Sequence, residues 1–469
     1  MSSRLLSLVV YEWILLRRDR RAAGALIVLA VLLVAAFVVN AAALARDNAA
    51  KTQTAAAERA RWLAQPAKDP HSAAHYSIYA FKPVPALAAL DFGVEPFVGQ
   101  AVWLEAHVQN DLLYRPQGDA SALDRAGLRH PAVLLATLAP LVAFLLAFAT
   151  AARERERGTL RLALGVADSP RRLAFAKAAA VWLALVAALV LPLVLAAAAD
   201  RSVTGTWHAD VLARLAAWTC AAAIYLAVFA VAGVAIALYA RDTRLALIAL
   251  CGVWAAVVLA LPRFTSTAAD AARPLPSTQS VKQQLFDEAP SYWSAETSRE
   301  NEAAILAQAG VSRREELRAN YRGLELDRAE RYSQAVFDRV LGGFHDRVIA
   351  QDEAFGALAW LSPAIAFAAL SPALAGTDFA HHRRFIDAAE RYRRQLVNTM
   401  NAEVAAHRPG ADGKAHAAGP ELWASQPAFV HEPPRLGEAG SAGPAFAALT
   451  LWLLAASLLL ARVARRLQP

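Results

Sequence analysis

The sequence predicts an all-α integral membrane protein with six transmembrane helices, an N-terminal interfacial helix and two large, mainly helical extracytoplasmic insertions. Three observations carry this. Of the 469 residues, 57% are hydrophobic and 19% charged, against about a quarter charged in ordinary soluble chains. The apolar residues fall in long blocks, and about twenty such residues cross a hydrocarbon core as a helix. The arginines crowd the ends of those blocks. Although the net charge is +8, that placement is the pattern of membrane orientation rather than of a nucleic-acid-reading face. Cys220 and Cys251 both lie inside apolar blocks, which argues against a disulfide framework and leaves the redox compartment unread.

Residues 1–21 form the first element. Leu5, Leu6, Val9, Val10, Trp13 and Leu16 recur near helical spacing, among Arg4, Glu12, Arg17, Arg18, Asp19 and Arg20. This is an amphipathic helix suited to lie in the cytoplasmic interface. The first span is 22–45. A cleaved signal peptide is the rival reading, because Ala43-Leu44-Ala45 resembles a cleavage site, but the basic region is too long and the apolar core exceeds the usual length. Residues 46–130 are polar, and Pro66, Pro70, Pro83, Pro85 and Pro96 break any long helix there. The second span is 131–150, followed by a charged cassette at 151–172. The third and fourth spans are 173–199 and 212–239, joined by a short polar turn. After the charged turn Arg241-Asp242-Thr243-Arg244 comes the fifth span, 245–261. A long polar region, 263–441, precedes the sixth span, 444–461, and a basic tail. Within 263–441, residues 298–355 and 379–404 read as helix, and 407–443 as a mobile connector. The apolar stretch 361–372 carries two prolines and is short for a span, leaving 361–380 interfacial, re-entrant or part of a soluble core.

Six spans put both termini on one side. The short segments on that side hold the arginines of residues 4–21, of the cassette, of the Arg241 turn and of the tail. The positive-inside rule therefore places the termini and the cassette in the cytoplasm and both insertions outside.

The chain offers little chemistry of its own. Gly410-Ala411-Asp412-Gly413-Lys414-Ala415 has the wrong spacing for a phosphate loop and lacks Ser or Thr after Lys. His431-Glu432 runs into Pro433-Pro434 and cannot form a zinc helix. His71 with His75, and His381-His382, are metal-ligand types, but the commoner reading is solvated surface histidine, and no metal or catalytic residues are assigned. Arg214 and Lys177 lie near span ends, where long side chains reach the interface. Spans two, five and six carry no charged residue at all. Ion-coupled pumps place acids or histidines at the midplane, so energy for any transport is expected from a partner.

The cassette is the candidate entry point for that energy. Arg153-Glu154-Arg155-Glu156-Arg157 extends span two as helix. Gly158 permits a sharp turn, Thr159 is placed to cap a short helix from Leu160 to Leu164, and Asp168-Ser169-Pro170 starts another helix. On spacing alone, an ordinary charged loop between spans fits equally well. The pattern also resembles the segment after the second span in ABC-2 type permeases, an acidic Glu-x-Glu-x-Gly-Thr-Leu followed by Ser-Arg and a Lys. The match falls on Glu154, Glu156, Gly158, Thr159, Leu160, Ser169, Arg171 and Lys177, with Pro170 and Arg172 as departures. The start of the chain, with Glu12, Arg17, Arg18 and Arg20, is similar to that family's interfacial helix. The large insertions, with Leu361-Ser362-Pro363, Gly376-Thr377-Asp378 and Arg383-Arg384-Phe385, resemble its uncharacterised bacterial DUF3526 subgroup, grouped loosely with the permeases of copper-enzyme maturation.

The resemblance implies a non-enzymatic permease subunit of the bacterial inner membrane, in contact with lipid and not nucleic acid. It implies pairing with an identical or related permease and with two ATPase subunits that bind ATP and Mg, the cassette serving as coupling helix. The expected function is ATP-driven transport, with export favoured. The alternative is a machine that transmits force to an extracytoplasmic protein without moving a small substrate itself; the size of the insertions motivates it.

Overall fold

The computed structural model describes all residues except 1–2, 77, 119–129, 168, 205–207, 289–294, 411–413, 439–441 and 468–469. The fold is mostly helical. In chain order it opens with α1 (Ser3–Arg18) and α2 (Arg20–Leu63). Between them, the Asp19 side chain accepts from Arg21 N and Ala22 N, so its carboxylate caps α2. α2 has 44 residues, about 66 Å at the α-helical rise, twice a hydrocarbon core. The helix therefore runs on past residue 45, and the polar stretch beyond it is a stalk as far as Leu63, just before Pro66.

A small β-element follows, which the expectation of a mainly helical insertion did not specify. After α3 (Pro70–His75), strands β1 (Ile78–Phe81), β2 (Ala101–Glu105) and β3 (Val108–Gln109) form an antiparallel sheet in sequence order. Ile78 pairs with Leu104 and Phe81 with Ala101. Strands this short and isolated in sequence carry little periodic signal.

The next helices are α4 (Pro131–Ala147), running through a π turn (Phe148–Ala152) into α5 (Arg153–Glu156), then α6 (Thr159–Val166), α7 (Pro170–Thr204) and α8 (Ala209–Tyr239). α9 (Thr243–Trp254) passes through a second π turn (Ala255–Ala260) into α10 (Leu261–Ala272). The large insertion contains α11 (Thr278–Glu288), α12 (Ala295–Ala309), α13 (Tyr321–Phe337), α14 (Gly343–Ala357), α15 (Pro363–Ala375), α16 (Phe379–Ala406) and α17 (Pro420–Ser425). α18 (Gly443–Ala464) ends the bundle.

Among the described residues, seven helices are long and apolar enough to cross a membrane, one more than the six expected; the addition is Pro363–Ala406. It is broken at Gly376, whose φ of 78° ends α15 after 13 residues. That apolar half is about 20 Å long. It packs against α8 and α18, with Phe367 stacked on Tyr225 at 4.7 Å and Trp218 Nε1 donating to Ser371 Oγ at 2.8 Å. Its leading residue, Ser362, caps Ala364 N and donates Oγ–H to Val257 O at 2.8 Å. Val257 lies in the second π turn, where ladder carbonyls lose their regular partners.

Two main cores result. The bundle core gathers α4, α7, α8, α15 and α18, with Leu87 and Leu90 of the first insertion. The insertion core joins Trp62 of the α2 stalk, Ile78 and Leu104 of the sheet, Phe385, Val397 and Met400 of α16, and Trp423. Trp62 Nε1 donates to Trp423 O at 2.9 Å and Trp423 Nε1 to Gln65 O at 3.2 Å. The connector expected to be mobile is thus anchored within 407–443, at Trp423 and through the Lys68–Ala418 bridge. Within 298–355, Leu326, Val336, Phe337 and Val340 are buried, while Tyr332 is exposed.

Candidate functional site: the charged cassette

The π turn before Arg153 is where the regular helix of the second apolar block gives way to charged sequence. The first element then spends its charges inward. Arg153 Nη1 donates to Asp19 Oδ2 at 2.7 Å. Burial pushes the Asp19 carboxyl up, but the N–H groups of Ala22 and Arg21 and the Arg153 guanidinium outweigh it, and the net shift is below the usual range. Arg155 donates to Ala237 O at 3.3 Å and to the carbonyls of Leu238 and Ala240. A cation there satisfies the orphan carbonyls of α8 and complements its dipole.

Lys177 is the hub. Its ammonium lies 2.8 Å from Glu12 Oε1 and 2.7 Å from Glu154 Oε2. The Lys177 side chain is 1% exposed and Glu12 0%. Lys177 therefore does not reach for the interface; it is neutralised inside the protein by α1 and α5. Glu12 is likewise on the bundle-facing side of α1, with Val9 and Leu16, while Leu6, Val10, Tyr11 and Ile14 are exposed.

Gly158 takes φ 76° and ψ −5°, a left-handed conformation costly for residues with a Cβ. A Cβ there would meet nothing within 4 Å, so the need is conformational rather than steric. Thr159 does not cap α6: Gly158 holds the N-cap position, and Thr159 Oγ1 donates back to Glu154 O at 3.2 Å. α6 sets Leu160 and Leu164 against the bundle and leaves Leu162 72% and Val166 86% exposed. Ser169 is half-buried; its carbonyl accepts from Leu173 N at 3.2 Å as α7 starts at Pro170. Asp168 lies outside the described residues. Glu156, Arg157, Arg171, Arg17, Arg18 and Arg20 are exposed.

A cleft of about 520 Å³ opens between the start of α2 and the cassette, lined by Arg18, Arg20, Arg153, Glu154, Arg157 and Thr159 among others. Of the residues singled out in sequence, the structure brings Glu12, Glu154 and Lys177 together, with Arg18 and Arg20 beside them. Glu156 and Arg171 stand apart on the surface. Sequence reading missed Asp19 and Arg155, whose partners are remote, and missed Leu162 and Val166, because an apolar residue in a short helix gives no sign of which face is covered.

Of the histidines expected to be solvated, His75 is exposed, but His71, His381 and His382 are buried. His381 Nδ1 lies 2.5 Å from Asp378 Oδ1, and its Nε2 lies 3.4 Å from Arg214. His382 Nδ1 faces Lys82 Nζ at 3.2 Å, and both rings are buried. Arg214, 2% exposed, donates to Asp210 Oδ2 at 2.7 Å, Leu374 O at 3.2 Å and Pro434 O at 2.7 Å. It thereby ties α8 to the end of α15 and to the connector.

No curated protein and no solved structure matches the chain. Residues 274–432, the segment holding α11 to α17, match the family model described as a domain of unknown function, DUF3526.

Proposed function

We propose that this chain is the membrane-spanning permease subunit of an ATP-binding cassette transporter of the ABC-2 type, favouring export, in a bacterial inner membrane. On this reading six helices cross, and Pro363–Ala406 does not. Its apolar half packs against α8 and α18 and emerges at Gly376 beside Arg214 and the first insertion, and both ends of the surrounding insertion, at 273 and 442, adjoin that same side. The termini and cassette are then cytoplasmic by the positive-inside rule. ATP and Mg belong to partner ATPase subunits, and a second permease, identical or related, completes the assembly.

One observation carries the reading. α6 is a short amphipathic helix with Leu162 and Val166 uncovered, while its flanks are locked to two long helices and α1 through Glu154, Lys177 and Glu12. A partner that grips α6 moves the bundle with it. In this reading Glu156, Arg161 and the two apolar residues contact the ATPase, and Glu154 transmits rather than docks.

The test is co-purification of this chain with a P-loop ATPase sought in the neighbouring reading frame. Leu162→Glu with Val166→Glu should abolish capture while leaving thermal stability unchanged, since both side chains are exposed. Undiminished capture overturns the docking role. The second reading, force transmitted to an envelope protein, is favoured by the Arg214 ties between bundle and insertion. ATPase stimulation by an envelope protein, without transport by reconstituted vesicles, would select it.

A further inference from the structure

Three imidazoles converge in the insertion, on segments that the cassette does not touch. His71 and His75 stand one turn apart on α3, on one face of the helix. α3 is capped by Asp69, which accepts from Ser72 N at 3.0 Å and pairs with Arg322 at 2.7 Å. His107 lies in the two-residue turn between β2 and β3 at φ 66°, a conformation non-glycine residues seldom adopt. The turn is held from outside: the His107 backbone N–H donates to Glu330 Oε1 at 2.5 Å. Glu330, on α13, is itself fully buried and paired with Arg393 at 3.3 Å.

The ring nitrogens are disposed in a particular way. His71 Nε2 lies 3.2 Å from His75 Nε2 and 3.1 Å from His107 Nε2, and the three candidate ligand atoms all lie within 4.8 Å of one another. The outward nitrogens are engaged: His71 Nδ1 is 2.8 Å from Asn401 Oδ1, and His107 Nδ1 is 2.9 Å from Glu330 Oε1. Both oxygens accept, so both Nδ1 atoms carry the proton. In neutral rings this leaves lone pairs on the two Nε2 atoms facing each other, an arrangement that a shared cation relieves. Metal–nitrogen bonds of about 2.05 Å at the tetrahedral angle put nitrogens about 3.3 Å apart, close to the two spacings that His71 Nε2 makes. A carboxylate behind a ligating histidine is also the usual way in which such a ring is oriented.

We propose that His71, His75 and His107 form a binding site for a divalent transition-metal ion of the zinc or copper(II) class, oriented by Glu330 and Asn401. Three imidazoles without thiolate or a carboxylate cage suit those ions over magnesium or calcium. Because His75 is exposed, the fourth coordination position faces outward, where water or an incoming donor completes it.

The full chain, purified in detergent with a tag free of histidine and stripped with chelator, is titrated with zinc against a chromophoric chelator. One tight equivalent per chain is expected, weakened about 10-fold or more by His75→Ala and by His107→Ala. Copper(II) electron paramagnetic resonance should show nitrogen couplings in the wild type that His107→Ala diminishes. His75→Ala serves as the variant that keeps the fold, checked by an unchanged metal-free thermal midpoint. His416→Ala addresses the other cluster, Glu403, His407 and His416, and should leave the tight equivalent intact. Equal zinc affinity in wild type and His75→Ala, as a proton shared among the rings would give, overturns the site. Loss of the tight equivalent only in His416→Ala overturns it as well.

Discussion

Lys177 shows how a single residue changes meaning between sequence and structure. Near the end of an apolar block it reads as a side chain that reaches the interface; in the fold it is buried between Glu12 and Glu154. Removing one partner from such a group strands the others, at about 3 to 5 kcal/mol. Lys177→Met should therefore lower the thermal midpoint sharply, and Glu12→Gln added to it should recover much of the loss. If the double variant is no better than the single, Glu12 and Lys177 are not coupled. Gly158 makes the second residue-scale case. Gly158→Ala should cost about 1 kcal/mol through its positive φ, and Gly158→Asn less, because asparagine tolerates the left-handed region; equal losses would point to a steric cause instead. The partners of Lys177 lie 165 and 23 positions away. No local pattern reports such pairs, which is why the engaged state of Glu154 was not legible.

At the scale of elements, long hydrophobic blocks were legible because length and apolarity are local properties: each of the six expected spans lies within one long helix. Interruptions were less so. The π turns at Phe148–Ala152 and Ala255–Ala260 have no composition of their own, and α15 is recognisable as apolar but not as a wedge against Tyr225 and Trp218. α14 supplies a pH prediction. His345 lies between Phe344 and Phe379, and burial, with Arg383 nearby, pushes its imidazole down to about 4. The folded pKa is below the unfolded value, so its contribution is full above about pH 6.5 and is lost as pH falls toward 4. By pH 5 it should cost about 2 kcal/mol. Thermal unfolding between pH 7.5 and 5 should therefore decline, and His345→Asn should flatten part of that slope; an unchanged slope removes His345 as the cause.

For the whole molecule, the insertion and the bundle are joined at several depths. Arg214 binds the connector and the end of α15, Ser362 reaches Val257, and Ser371 donates to Asp91 while accepting from Trp218. Asp91 is held above the usual carboxylate range by burial, although the bonds from Ser371 and Gly93 oppose this. Arg214→Leu should cut the tie at Pro434. Limited proteolysis should then cleave faster within 407–442 while the bundle helices stay protected. An unchanged cleavage pattern would mean that the anchors at Trp423 and Ala418 secure the connector without Arg214.

The amino-acid sequence by itself determined the class of molecule. Hydrophobic length, arginine placement and the glycine-centred cassette are all properties of neighbouring residues, so they survive without a fold. Tertiary structure alone decided which charges are spent internally, that an apolar stretch of 13 residues is wedged against α8 and α18 and ends at Gly376, and that a short sheet holds His107. It also brought His107 to His71 and His75 across 36 positions of chain. The physical reason is the same in each case. Burial and pairing energies depend on distance in space, and a chain carries that information only through contacts formed when it folds.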